Sequence, residues 1–192
     1  MAADFSSLVS LACHDLRTPL ATVQGFAKTM LRLEELNGEK ATRYLGLIDA
    51  ASDELVELLD LVSLAARIEG GRYGPVLREA DSLELAPAGA TGVGAAVNVD
   101  PGAVAIALAS LARAAARHGG VEVTTSVDGP RVSVEPVTAA AAPVVLGDEQ
   151  KDLGAAVAVR VLGALGAELT LVGERLTVTL PTSEATSTSG GP

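Results

Sequence analysis

The chain has 192 residues, of which 48% are hydrophobic, 20% charged and 2% aromatic, with no Trp, two Phe and two Tyr; this suits one or two small domains cored by Ala, Val and Leu. Fourteen Lys and Arg stand against 24 Asp and Glu, a net charge of −10, which excludes the basic surface that nucleic acid requires. The single cysteine, Cys13, excludes an intrachain disulfide framework and a Cys-based zinc cluster and fits a reducing compartment.

From Ser6 to about Glu35, apolar residues recur at spacings of three and four: Val9, Ala12, Leu16, Leu20, Val23, Ala27 and Met30. That period predicts an amphipathic helix. Asn37-Gly38 supplies a turn, and Tyr44, Ile48, Ala51, Leu55, Leu58, Val62 and Ala65 then form a heptad seam on a second helix, with Leu47, Leu61 and Ile68 on a flanking stripe. A two-helix hairpin buries too little to stand alone. A second copy completing a four-helix bundle is the expected cover, with the rest of the same chain as the alternative.

Gly70-Gly71-Arg72-Tyr73-Gly74-Pro75 is the strongest breaker cluster and marks the expected boundary between a hairpin domain, residues 1–72, and a second domain, residues 75–182. Beyond it we expect an extended segment from Val76 to Leu85, a Gly/Ala-rich stretch from Pro87 to Ala96, and a helix from Asp100-Pro101 to about His118, with Asp as cap and Pro in the first turn. Val121 to Val127 and Arg131 to Val137 pair as a hairpin across Asp128-Gly129-Pro130, followed by a Pro/Ala-rich loop. A helix from about Asp148 to Leu165 and strands at Glu168 to Val172 and Arg175 to Leu180 complete an α/β layer. The Ser/Thr/Gly-rich residues 183–192 are expected to be a disordered tail.

The most informative stretch is Cys13-His14-Asp15-Leu16-Arg17-Thr18-Pro19-Leu20. A histidine and an acid stand together on the polar side of a helix. A proline five residues on costs roughly 3 kcal/mol and leaves the Asp15 carbonyl without its helical partner. His14 and Thr18 share a face one turn apart. An exposed imidazole there can act as a nucleophile through one ring nitrogen while a carboxylate holds the other.

Those residues resemble the H-box of bacterial sensor histidine kinases, which reads His-Glu/Asp-Leu-Arg-Thr/Asn-Pro-Leu and continues toward a glycine, here Thr22-Val23-Gln24-Gly25. The resemblance extends over the hairpin to Leu64-Ala65-Ala66-Arg67-Ile68-Glu69-Gly70-Gly71-Arg72. It implies that His14 is the phosphoacceptor, that Asp15 orients and activates its imidazole, and that Thr18 positions a water for dephosphorylating a partner aspartate. Arg17, Thr22 and Lys28 are the expected partner-binding residues.

The second domain resembles the ATP-binding domain of the same family with its nucleotide contacts eroded. Where the N-box carries a Mg²⁺-binding asparagine, this chain has Ala114, with Ser110 as the neighbouring candidate; a methyl group cannot serve a cation that takes oxygen ligands. The stretch Val134-Glu135-Pro136-Val137-Thr138-Ala139-Ala140 stands where an adenine-binding aspartate and two glycines belong, and it lacks the glycines. Lys151-Asp152-Leu153-Gly154-Ala155-Ala156-Val157 keeps one glycine of a phosphate-binding turn that needs several open amides. The resemblance therefore implies an antiparallel helical hairpin forming a dimeric four-helix bundle, followed by a degenerate histidine-kinase-type ATPase α/β sandwich.

Closest in kind are the dimeric histidine phosphotransferases of phosphorelays. The expected function is exchange of a phosphoryl group between His14 and a response-regulator receiver aspartate, with no cofactor of its own and Mg²⁺ on the partner. Two other readings remain open: an ATP-dependent histidine kinase core, and an unphosphorylated dimeric scaffold or inhibitor. Among the lesser features, Cys13 reads as a small packed side chain, His118 as a helix-end cap, Asn98 as a loop hydrogen-bonder, and Asp49, Asp53, Glu54, Glu57 and Asp60 as a solvated face with no metal companion. No apolar run reaches the roughly 18 to 20 residues of a membrane helix and no basic segment opens the chain, so a soluble, unprocessed, cytoplasmic protein is expected. The short stretch ahead of His14 fits a relay component.

Overall fold

The computed structural model describes residues 5–32 and 38–182, and these form two compact units that divide between Leu64 and Ala65, ahead of the Gly70–Pro75 tract. The first unit is a helical hairpin of α1 (Phe5–Arg32) and most of α2 (Gly38–Glu69). On α1 the three-four spacing buries Leu8, Ala12 and Pro19 and half-buries Leu16, Val23, Phe26 and Ala27. On α2 the heptad positions Tyr44, Ile48, Leu55, Leu58 and Val62 are half-buried and Ala51 is buried, as one stripe of a helix facing a neighbour should be. Phe26 stacks on Tyr44 with ring centroids 5.4 Å apart, a contact that joins the two helices near their connection. Val9, Leu20, Leu31, Leu45, Leu47, Val56 and Leu59 stay exposed. Asn37 of the predicted turn and the 183–192 tail lie outside the described residues; Gly38 is the first residue of α2.

The second unit begins with the last turn of α2. Gly71 takes a left-handed φ of 62°, and the Arg72 N–H donates to the Arg67 carbonyl at 2.8 Å, so a glycine closes the helix where a Cβ would be strained. Then come β1 (Arg78–Asp81), α3 (Ser82–Leu85), β2 (Thr91–Gly94), β3 (Ala96–Val99), α4 (Pro101–Gly119), β4 (Thr124–Gly129), β5 (Arg131–Glu135), α5 (Ala142–Val145), α6 (Leu153–Ala164), β6 (Glu168–Val172) and β7 (Arg175–Thr179). β1 and β3 form an antiparallel pair. The main sheet runs β2-β4-β5-β7-β6, with β2 parallel to β4 and the other pairs antiparallel. Val127, Val132, Val134, Leu176 and Val178 of the sheet are buried, as are Val104, Leu108 and Leu111 of α4 and Val157, Val161 and Leu162 of α6. Each such side chain stabilises the fold by roughly 1.5–3 kcal/mol, and the alanines between them let α4 and α6 pack closely. This is a mixed α/β sandwich.

Several expectations need correction. Val76–Leu85 is not one extended segment: Asp81 accepts the Leu83 N–H at 2.7 Å and starts α3. The Gly/Ala-rich stretch 87–96 holds β2 and the start of β3. β2 escaped the pattern because packing there selects glycine: a Cβ on Gly92 would collide with the Val127 carbonyl. The Pro/Ala-rich loop contains α5. The last long helix starts at Leu153 rather than Asp148, because Asp152 is its cap. Asn98 is a strand residue opposite Glu79, with its N–H on the Pro181 carbonyl at 3.0 Å. Among the described residues, no helix is long and apolar enough to cross a membrane.

Candidate functional site

His14 stands on the polar side of α1, its side chain 78% exposed. Its Nδ1 lies 3.0 Å from Oδ1 of Asp15, whose side chain is 19% exposed. A carboxylate only accepts, so this contact puts the proton on Nδ1 and leaves the lone pair on Nε2. In the neutral ring this contact leaves Nε2 as the unprotonated nitrogen of an exposed side chain. Pro19 sits inside the helix and is buried, and as a proline it has no N–H to donate along the helix.

Thr18, one turn from His14, is exposed, and its carbonyl accepts the Thr22 hydroxyl at 3.2 Å. Arg17, Thr18, Ala21, Thr22, Gly25, Phe26 and Thr29 line an open groove of about 680 Å³ along α1. Of the three expected partner-binding residues, the groove includes Arg17 and Thr22 and omits Lys28, which is exposed on α1. Ala21, Gly25 and Thr29 were not singled out from the sequence, although their four-residue spacing with Arg17 carries the signal. Cys13 is exposed; it belongs to the polar side with His14, which corrects the packed reading. Asp49, Asp53, Glu54, Glu57 and Asp60 are exposed as expected, and the described residues contain no cluster of His, Cys, Asp and Glu fit to hold a metal.

Residues 6–71, the whole hairpin with its H-box, match the His Kinase A (phospho-acceptor) domain family. This segment is a histidine kinase phospho-acceptor domain of two-component signalling. Over the longer chain, the histidine kinase AdeS of Acinetobacter baumannii has a similar fold, with a TM-score of 0.54 and 17% identity, covering 89% of this chain and 98% of that one. No curated protein matches the chain.

In the α/β unit, the residues at the expected nucleotide positions differ in burial and pairing. Ala114 is fully buried and Ser110 is 1% exposed, with the Ser110 hydroxyl accepting Arg113 Nη2 at 3.4 Å. Glu135 is held by Arg175 through two bonds, Nε at 2.8 Å and Nη2 at 2.9 Å, which raise the Arg175 pKa. Val137 is buried. Gly154, the one glycine left in the turn, has a packing reason: a Cβ there would lie 3.1 Å from Ser110 Cβ and 3.2 Å from Asp152 Oδ1, so it lets α6 approach α4. Asp152 caps α6, accepting the Ala155 N–H on Oδ1 at 3.0 Å. His118 does not serve only the end of α4, where Gly120 makes the left-handed cap; its Nε2 lies 3.4 Å from Asp152 Oδ2.

The last turn of α2 and the tract after it are tied to the α/β unit. Glu69 pairs with Arg160 Nε at 2.8 Å. Asp100, the cap of α4, receives the Val76 N–H at 3.2 Å and the Tyr73 hydroxyl at 3.5 Å on Oδ2. Burial, then the Asp100 charge and hydrogen bond, raise the Tyr73 pKa against an opposing pull from Arg67.

Proposed function

We propose that this chain carries a phosphoryl group on His14 and exchanges it with the aspartate of a response-regulator receiver domain, without binding ATP itself. The observation that carries this reading is the exposed His14 ring held through Nδ1 by Asp15. Nε2 attacks the phosphorus of the partner's aspartyl phosphate, a P–N bond forms, and the P–O bond to the carboxylate breaks. The Nδ1 proton stays in its hydrogen bond to Asp15, which offsets the positive charge that develops on the ring. The reverse step returns the phosphoryl group. Catalysis here is mostly positioning, and Mg²⁺ belongs to the receiver.

Thr18 lies on the same helical face and is the group proposed to orient a water toward the partner's aspartyl phosphate. Arg17 and Thr22 supply a cation and a hydroxyl along the α1 groove for docking. The exposed Leu20, Leu45, Leu47, Val56 and Leu59 of the hairpin support a homodimer in which a second copy covers them. The buried methyl of Ala114, and the engagement of Glu135 by Arg175 and of Asp152 by Arg117, support the nucleotide-free reading.

A panel of receiver domains, each carrying labelled aspartyl phosphate, tests the proposal. Label should pass to the wild-type chain from at least one receiver and to His14→Ala from none. Absence of transfer from every receiver, with the chain instead changing a kinase's or regulator's activity, would favour the scaffold reading. Labelling by γ-labelled ATP alone would establish the kinase reading.

A further inference from the structure

We propose that the tract from Glu69 to Val76, whose breaker residues mark a domain boundary in the sequence, is a strap latched to α6 at one end and to α4 at the other, so that the last turn of α2 is fixed to the α/β unit. The inference stands whether or not the chain binds nucleotide. All of the residues involved, from Ala65 onward, belong to the α/β unit. Glycine serves geometry here rather than freedom. The Gly70 N–H donates to the Ala66 carbonyl at 3.0 Å, the Gly71 N–H to the Ile68 carbonyl at 3.0 Å and the Arg72 N–H to the Arg67 carbonyl at 2.8 Å. The carbonyls that end α2 are thereby satisfied one after another. A Cβ on Gly70 would lie 3.0 Å from the Ala66 oxygen, so the chain turns there only without a side chain.

The first latch is Arg160 of α6. Its Nε donates to Glu69 Oε1 at 2.8 Å, while its Nη1 donates to the Ala156 carbonyl of its own helix at 2.8 Å. The bond to Ala156 aims the guanidinium at Glu69, so less side-chain freedom is lost in making the pair, and an Arg160 side chain only 14% exposed limits screening by salt. The second latch is Asp100. Its Oδ1 caps α4 by accepting the Ala103 N–H at 3.3 Å, and its Oδ2 takes the Val76 N–H at 3.2 Å and the Tyr73 hydroxyl at 3.5 Å. One carboxylate thus fixes the start of a helix and the end of the strap. Tyr73 is half-buried, and burial together with Asp100 keeps its phenol in the protonated, donor form. A tract this short, held at both ends by helices that pack on each other, leaves its glycines no pivot.

The test is limited trypsin digestion of the full chain, with each cleavage site read by mass spectrometry. Arg72 is exposed and stands in the middle of the strap, so trypsin can reach its side chain but cuts only when the backbone around it opens. Cleavage after Arg72 should be at least about 10²-fold slower in the wild type than in a peptide of residues 66–79. Glu69→Gln opens the first latch. Asp100→Asn keeps a capping oxygen for α4 and loses the second acceptor. Together they should speed cleavage after Arg72 at least about tenfold, while cleavage after Arg113, inside α4, stays at the wild-type rate. Wild-type cleavage at the peptide's rate, or no acceleration in the combined variant, overturns the inference. So does equal acceleration at Arg113, which would make the two side chains supports of the whole unit rather than latches of a strap. Amide hydrogen exchange on the wild type needs no variant: the Arg72 and Val76 N–H groups should be protected, and exchange at the unfolded-chain rate contradicts the proposal.

Discussion

The two units treat their polar groups in opposite ways. On the hairpin, the proposed phosphoacceptor is left in solvent beside one carboxylate: the His14 side chain is 78% exposed and its Nδ1 lies 3.0 Å from Asp15 Oδ1. In the α/β unit, the polar residues nearest the expected nucleotide positions are paired with one another, as Ser110 with Arg113, Asp152 with Arg117, and Glu135 with Arg175. A group that must react with another macromolecule has to be reachable and only partly satisfied. Groups that complete each other's hydrogen bonds serve the fold. The contrast fits the proposal that the hairpin carries the chemistry.

The largest effect should come from His14→Ala, which should reduce phosphoryl transfer from a charged receiver to background while unfolding stability changes by no more than about 0.5 kcal/mol, since the side chain is exposed. Filter-bound label and a denaturant melt on the same sample read both. The complementary change, Leu111→Ala in the α/β core, should cost about 2–5 kcal/mol in denaturant unfolding by opening a cavity between packed elements. A negligible cost would mean that this unit does not depend on its packing as described.

Smaller changes sharpen the picture of the site. Asp15→Asn should slow transfer about 10²-fold in rapid-quench kinetics, because the amide no longer holds the Nδ1 proton as a charged acceptor would. Arg17→Ala should weaken receiver affinity about tenfold, or 1.4 kcal/mol, with a smaller loss for Lys28→Ala, which lies off the groove; titration with an unphosphorylated receiver reads this. The mildest effect concerns Tyr73. Burial and Asp100 raise its pKa above the ordinary 10.0, so folding favours the neutral phenol. Its contribution is complete below pH 10.0 and is lost as pH rises through the folded value. In a Tyr44→Phe background, phenolate absorbance should titrate above 10.0, and Asp100→Asn should bring the midpoint down.

Legibility in the sequence followed the physics of each element. The two long helices and α4 stood out because an apolar face repeated over several turns cannot be mistaken for a strand, and Asp100-Pro101 and Gly119-Gly120 bracket α4 with cap chemistry. β4 through β5 and β6 through β7 declared themselves by alternation. β2 did not, because its glycine at position 92 answers to the Val127 backbone of the neighbouring strand, a tertiary demand with no local signature. The start of α6 was misplaced for a related reason. Asp148 and Asp152 are both good caps by composition, and in the fold it is Asp152 that takes the Ala155 N–H. At the site, His14, Asp15 and Thr18 stand out as a motif, while the pairing of Asp152 with Arg117 depends on a different helix reaching it.

The central claim is that phosphate reaches His14 from a receiver and not from a nucleotide. Peptide mapping by mass spectrometry under non-acidic conditions tests it most directly, after the full chain has been incubated either with a phosphorylated cognate receiver in nucleotide-free buffer or with MgATP alone. The account predicts one added phosphoryl group on the peptide bearing His14 in the first sample and none in the second. The same adduct after MgATP alone would contradict it.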